Sequence, residues 1–368
     1  MTGIRDTIPL SELMYGFYGS GMLDGMFAKT DAPVLTSTTG VHNAIFGPKV
    51  MIQSNLNANG LGAIPKTGWA KSGFRALTAA SATSGGAGVG EGGAVPDTRK
   101  GTYAEVTVTA KQLSHAFDES DIMISKAGKD DVLLWADIAE IEGQTFLNMI
   151  NYDIFKDNDT LAGNNPESLD RICGSYAEIT ACHQTASDLD IYGIDRDAGA
   201  TWTDAYVSHG SGTDRSLTFS LLDDVFAHVR PYWDNNYYDG KMILTKFDTL
   251  ERLQQLGASQ QRFDMIRAVE FTMGDGVKTV KGVDTGFDTS CYKGIPIVPD
   301  NYCTADTLGR IFVIDGNNLS MCWLKPIQYV ESDNPLILGN HTKQGVYHAQ
   351  GEVVCTRFKA QGKVRDLK

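Results

Sequence analysis

The sequence predicts an α+β protein. Three observations carry that reading. Leu134, Trp135, Ile138, Ile141, Phe146, Met149 and Ile150 recur at helical spacing, with Asp137, Glu140, Gln144 and Asn148 between them. The run Tyr103-Ala104-Glu105-Val106-Thr107-Val108-Thr109 alternates as a strand does. Lys241-Met242-Ile243-Leu244-Thr245 and Ile311-Phe312-Val313-Ile314-Asp315 are short, nearly continuous apolar runs that read as buried strands.

The first segment, residues 1–56, carries few strong signals. Gly16, Gly19, Gly21, Gly25 and Pro33 interrupt it, and an extended arm docking elsewhere is the expectation. Residues 56–111 then form an excursion. One arm is residues 69–80, polar and without a helical stripe. The tip is glycine-rich over residues 85–93, with a turn at Val95-Pro96-Asp97, and the Tyr103 strand is the return arm. Such a ribbon does not bury both faces on its own domain, so a neighbouring subunit is its expected support.

The strongest helical region runs over residues 118–157, broken near residues 125–131. Its main helix is expected to have around 25 residues, or ~37 Å at 1.5 Å per residue. Residues 183–215 read as loop. A second helix is expected over residues 216–229, opened by a capping box of Ser220 and Asp223 and ended by Pro231. A short helix over residues 247–256 is closed by Gly257. The strand at residues 294–298 contains Pro296, which assigns it to an edge or a strand end. Residues 321–324 and 344–359 read as further strands, making the middle of the chain mixed α/β.

Composition narrows the function. Apolar residues make up 42% and charged residues 21%, enough for a substantial core in 368 residues. No apolar run approaches the ~20 residues of a membrane span. The first ten residues lack the basic start and apolar core of a signal peptide. A net charge of -13 argues against gripping nucleic acid by phosphate neutralisation. The six cysteines are scattered, with no CxxC pair, which suggests buried thiols and a reducing compartment.

Candidate chemistry is sparse. Gly88-Val89-Gly90-Glu91-Gly92-Gly93 satisfies GxGxxG, but Pro96 and a strand follow where a dinucleotide site needs a helix. A flexible loop tip is the favoured reading. Walker A, GxSxG and HExxH motifs are missing from the sequence, and the seven histidines do not pair at ligand spacing. Asp188, Asp190, Asp195 and Asp197 cluster around Gly193 without EF-hand spacing, so a solvated acidic loop is preferred to a calcium site. No catalytic residue, cofactor or metal ligand is assigned. An expected absence of catalysis shifts weight toward assembly.

The chain resembles the major capsid proteins of tailed double-stranded DNA viruses, which share the Hong Kong 97 capsid fold. The resemblance rests on the tip Glu91-Gly92-Gly93-Ala94-Val95-Pro96, the strand from Tyr103 to Val108, the pair Ser120-Asp121 and the helix over residues 132–155. It extends to Tyr192-Gly193-Ile194-Asp195-Arg196 with Trp202, to Gly294-Ile295-Pro296-Ile297-Val298, to residues 311–323 and to the closing strand over residues 345–358. Each piece alone is unspecific; their order and spacing together are not.

The resemblance implies an N-terminal arm (residues 1–55), an extended two-stranded E-loop (56–112), a P-domain with a spine helix (113–182), a mixed α/β A-domain (183–335) and a return strand to the P-domain (336–368). It implies a non-enzymatic protein that associates with copies of itself into pentamers and hexamers. These would tile an icosahedral shell around double-stranded DNA, in a virion assembled in the host cytoplasm. The short stretch before the excursion implies a separate scaffolding protein or none, beside a portal and a possible cement protein. Lys71, Arg75, Glu91, Arg99 and Lys100 are the expected E-loop contacts to the adjacent subunit. The alternatives are an encapsulin-like cellular compartment holding protein cargo, and a nucleotide-binding enzyme using residues 88–93.

Overall fold

The computed structural model describes residues 57–79, 91–93, 100–121, 124–125, 134–157, 163–182, 190–197, 199–234, 240–258, 270–271, 280–281, 291–303, 305–331 and 342–368. In chain order the elements are α1 (Asn59–Ala63), β1 (Lys66–Gly68), β2 (Gly73–Ala79), β3 (Thr102–Thr107), β4 (Lys111–Ser120) and α2 (Leu134–Phe155). Then come α3 (Leu169–Ile172), α4 (Tyr176–Ala181), β5 (Tyr206–Ser208), α5 (Phe219–Val229), β6 (Lys241–Thr245) and α6 (Phe247–Ala258). The two-residue strands β7 (Glu270–Phe271) and β8 (Val280–Lys281) pair with each other. The last elements are β9 (Cys291–Tyr292), β10 (Ile295–Pro299), β11 (Ile311–Asp315), β12 (Leu319–Glu331), β13 (Thr342–Cys355) and β14 (Gly362–Val364).

Two compact units divide the chain. One comprises Met1–Leu56, Ala116–Gly143 and Val330–Val346; the other comprises Asn57–His115, Gln144–Tyr329 and Tyr347–Lys368. In the smaller unit the described residues gather on Trp135. Its ring meets Phe117 at 5.2 Å, and its indole N–H donates to Glu331 Oε2 at 2.9 Å. Lys343 lies 4.7 Å over the same ring and 3.3 Å from Glu331, so one lysine satisfies a carboxylate and a π face together.

The larger unit holds a mixed six-stranded sheet in the order β5-β14-β11-β6-β10-β9. Its central strands are buried on both faces. All five residues of β6 and all five of β11 are inaccessible, which is why these runs lack a polar alternation. On one side α5 packs Leu222, Val225, Phe226 and Val229 against Ile311, Val313 and Val364. A second cluster gathers the latter half of α2, with Phe146, Ile150, Ile154 and Phe155, alongside Phe312 and Met321. A four-stranded sheet runs in the order β1-β12-β13-β4.

Beneath β14 lies a cluster of buried ions. Lys363 Nζ sits 2.7 Å from Asp170 and 2.8 Å from Glu178, with all three side chains at most 1% exposed. Arg310 reaches Asp170 at 2.6 Å and Asp157 at 3.1 Å; Arg365 pairs with Glu178 and with Asp366. Burial by itself would raise the Asp170 carboxyl. Arg310, Lys363 and Arg365 override that and hold it far below the usual carboxylate range. The caps Ser168 and Ser175, each accepting an N–H three residues on, fix α3 and α4 so that their acids face this cluster.

Several expectations needed correction. Helix does not begin at Asp118, because Lys111–Ser120 is a ten-residue strand whose Leu113 is buried. The helix α5 starts at Phe219 behind Thr218, not at Ser216, and it lacks a side-chain cap. Asp223 does not cap Ser220; its carboxylate instead accepts the Tyr292 hydroxyl at 2.6 Å and pairs with Lys293. Gly257 does not end α6, which continues to Ala258. Of the two expectations for Pro296, edge or strand end, the second holds: it is the second residue of β10. That strand lies between β6 and the two-residue β9, where Pro296 stands opposite Cys291. The long helix, at 22 residues, starts at Leu134 and ends at Phe155, close to its expected end.

Candidate functional site

The excursion is a two-stranded antiparallel hairpin. Gly73 stands opposite Thr107, Phe74 opposite Val106, Arg75 opposite Glu105 and Leu77 opposite Tyr103, with a register shift between Leu77 and Ala79. Strand alternation splits these pairs between two faces. Phe74, Ala76, Ala104 and Val106 form one, with Val106 buried. Arg75, Leu77, Tyr103 and Glu105 form the other, where Leu77 is 55% and Tyr103 66% exposed. Among the described residues the two strands pair only with each other, so both outer edges carry backbone groups that no described strand pairs.

Two glycines permit the close approach of the arms. A Cβ on Gly73 would lie 2.3 Å from the Val106 carbonyl oxygen, and one on Gly101 would lie 2.6 Å from Leu77 Cδ1. Below the hairpin the chain is anchored firmly. The Val108 N–H donates to the Ser72 carbonyl at 2.9 Å. The Gly60 N–H donates to Asp300 Oδ2 at 2.8 Å, the Leu61 N–H to Asn151 Oδ1 at 2.8 Å, and Asn151 in turn donates to Asp300 at 2.8 Å. Burial raises the Asp300 carboxyl, against these donors. Lys66 turns inward to the carbonyls of Leu61, Gly62 and Ile64, and burial lowers its ammonium to about 8.

Of the five expected contact residues, four are described. Lys71 and Lys100 are exposed beside the hairpin strands, and Glu91 is exposed in a turn completed by Gly92 at φ 78°. Arg75 is already engaged: its guanidinium meets Glu105 across the strands at 2.9 Å, with side-chain exposures of 76% and 74%. Arg99 lies outside the described residues, as do Gly88, Val89 and Gly90 of the GxGxxG match.

The sequence reading missed two further features. The outer part of β12 leaves Leu324, Ile327 and Tyr329 exposed, a run overlooked because Lys325, Pro326 and Gln328 break its apolar pattern. The turn at Tyr192 and Gly193, at φ 51° and 74°, carries an unexpected structural task. The Tyr192 hydroxyl donates to the Val353 carbonyl at 2.6 Å and accepts from the Cys355 N–H at 2.9 Å. Arg196 is buried against Phe358 and donates to the carbonyls of Arg171, Ile172 and Thr203. In the acidic loop, Asp197 caps the N–H groups of Gly199 and Ala200, both at 2.8 Å, while Asp188 lies outside the described residues. No group of three or more His, Cys, Asp or Glu among the described residues has metal-holding geometry, and no described helix is long and apolar enough to cross a membrane.

No family model matches the sequence, and no curated protein matches it. Solved structures do. A chain of the cyanophage A-1(L) capsid asymmetric unit superposes with a TM-score of 0.60 at 16% identity, covering 86% of this chain and 95% of that one. A capsid chain of a native GTA particle gives 0.55 at 10% identity, covering 86% and 92%. The capsid chain of an empty GTA particle gives 0.55 at 9% identity, covering 86% and 91%. At such identities the likeness is one of backbone architecture. The mixed helices and sheets of this chain thus match the fold of these capsid chains.

Proposed function

We propose that this chain is the structural subunit of a viral shell, associating with its own copies as pentamers and hexamers into an icosahedral capsid around double-stranded DNA. The observation that carries the reading is the hairpin, a ribbon whose two edges no described strand pairs and which exposes Leu77 and Tyr103, on a backbone similar to capsid chains. A two-stranded hairpin is only marginally stable by itself. Laid on a neighbour it would bury its apolar pair and satisfy its edges. Interfaces of ~1,600 Å² are standard and obligate ones are larger, so an extended ribbon adds area without any single strong contact.

In this reading the protein performs no catalysis and needs no cofactor. Lys71, Arg75, Glu91, Arg99 and Lys100 line the ribbon's contact with the adjacent subunit. The net charge of -13 suits a wall that must release DNA rather than hold it. A scaffolding protein, a portal and a cement protein complete the particle, and the virion is assembled in the host cytoplasm.

Electron microscopy of the purified chain, with and without a co-expressed scaffolding protein, tests the proposal. The expected result is closed shells or five- and six-fold rings. A chain that stays monomeric in every condition overturns it. Shells filled with protein cargo instead of nuclease-protected DNA would overturn the viral assignment and leave the shell.

A further inference from the structure

Near its C-terminal end β13 buries an acid to which no described cation is bonded. Glu352 is 1% exposed. Its Oε1 accepts the Glu167 N–H at 2.6 Å and the Val353 N–H at 2.9 Å. No salt bridge to Glu352 occurs among the described residues. The nearest acid is Glu167 itself, which occupies the cation at hand by pairing with Arg171 at 3.3 Å. Lys111 of β4 is spent on the Gly163 carbonyl at 2.6 Å. Tyr192 uses its hydroxyl on the Val353 carbonyl. Arg196, farther off, lies against backbone carbonyls.

We propose that Glu352 and Glu167 form a proton-held clasp: a neutral Glu352 carboxyl seats the segment before α3 against β13, and its ionisation opens that contact. Full burial and the lack of an ion pair among the described residues favour the neutral form, and the two N–H donors can be kept in it. The carbonyl oxygen of a protonated acid takes both N–H donors, while the proton rides on the other oxygen. An ionised Glu352 could hold those donors only by burying a charge beside a second carboxylate; with no bonded cation that is costly, and moving the carboxylate away from the Glu167 N–H relieves the cost.

Burial accordingly pushes the Glu352 carboxyl from 4.5 up to about 8. Glu167 adds to the rise, while Lys111 and the two N–H donors oppose it. Glu167 is raised as well, chiefly by burial and against Arg171, Lys111 and Arg196. Burial lifts the Tyr192 phenol well above its ordinary range, so it stays protonated across the same window. The sign follows. The folded chain holds the Glu352 proton more tightly than the unfolded chain. The stabilisation is complete below pH 4.5, declines as pH rises and is gone above about pH 8.

Two measurements on the full chain test this. Infrared spectroscopy with 13C-labelled glutamate should show a neutral carboxyl C=O band near neutral pH that disappears above about pH 8 and is absent in Glu352→Gln. Thermal unfolding should show a Tm that falls by about 5 °C or more between pH ~5 and pH ~9 in the native chain, relative to Glu352→Gln over the same range. A native chain without a glutamate carboxyl band at neutral pH overturns the clasp, whether or not the variant folds. So does an equal Tm slope in both proteins. Neither readout depends on shells forming, so the clasp and the assembly reading fail separately.

Discussion

The hairpin and the ionic cluster under β14 use the same residue types to opposite ends. Arg75 and Glu105 face water almost entirely, and each would keep its solvation if the other were lost. Lys363, Asp170 and Glu178 have no water to return to. An exposed pair contributes ~0–1 kcal/mol, because screening and side-chain entropy offset its attraction. Breaking a buried pair costs about 3–5 kcal/mol, because the orphaned partner stays buried and charged. One region is thus fixed internally, while the other leaves its surface available.

Asp170→Asn carries the largest expected effect. It strips a charge from between Arg310 and Lys363, and chemical denaturation should register a loss of about 3–5 kcal/mol. A loss under ~1 kcal/mol would mean that the cluster is wetter than its burial implies. The double change Leu77→Ser with Tyr103→Ser acts on the other region. Its folding stability should move by no more than ~0.5 kcal/mol, as befits exposed sites. The subunit concentration needed for assembly should rise about tenfold, equivalent to ~1.4 kcal/mol per subunit. Light scattering measures the second quantity, and unchanged assembly would remove the hairpin from the interface. Arg75→Ala is the smallest perturbation, at ~0–1 kcal/mol, and its effect should shrink further in high salt.

The contrast also explains what the sequence could and could not reveal. The long helix, β6 and β11 were legible because their patterns are local: helical spacing in the first case, unbroken apolar runs in the others. The hairpin was legible from its alternating arm and its glycines. The ionic cluster was not, since Asp170 and Lys363 lie 193 positions apart and each looks like an ordinary solvated charge. The strand β4 was misread because its inward positions, Leu113, His115 and Phe117, include only two apolar side chains, and the acids at Asp118, Glu119 and Asp121 imitate a helix start. The Arg75–Glu105 pair was not legible either, because the register that sets the two opposite each other has no sequence signature.

The place of β14 also bears on how the chain acquires its fold. It fills the slot between β5, with which it runs parallel, and β11, with which it runs antiparallel. Before residues 362–364 arrive, β5 and β11 present open backbone to each other across a gap that no other described strand fills. The same closure draws Gly210 to Asp366, hydrogen-bonded at 2.7 Å across 156 positions of chain. Contacts so distant in sequence are entropically expensive to form and slow folding. The larger unit's sheet is therefore closed by contacts among the most distant in its sequence, a topology that costs more loop entropy than a sheet of neighbouring strands.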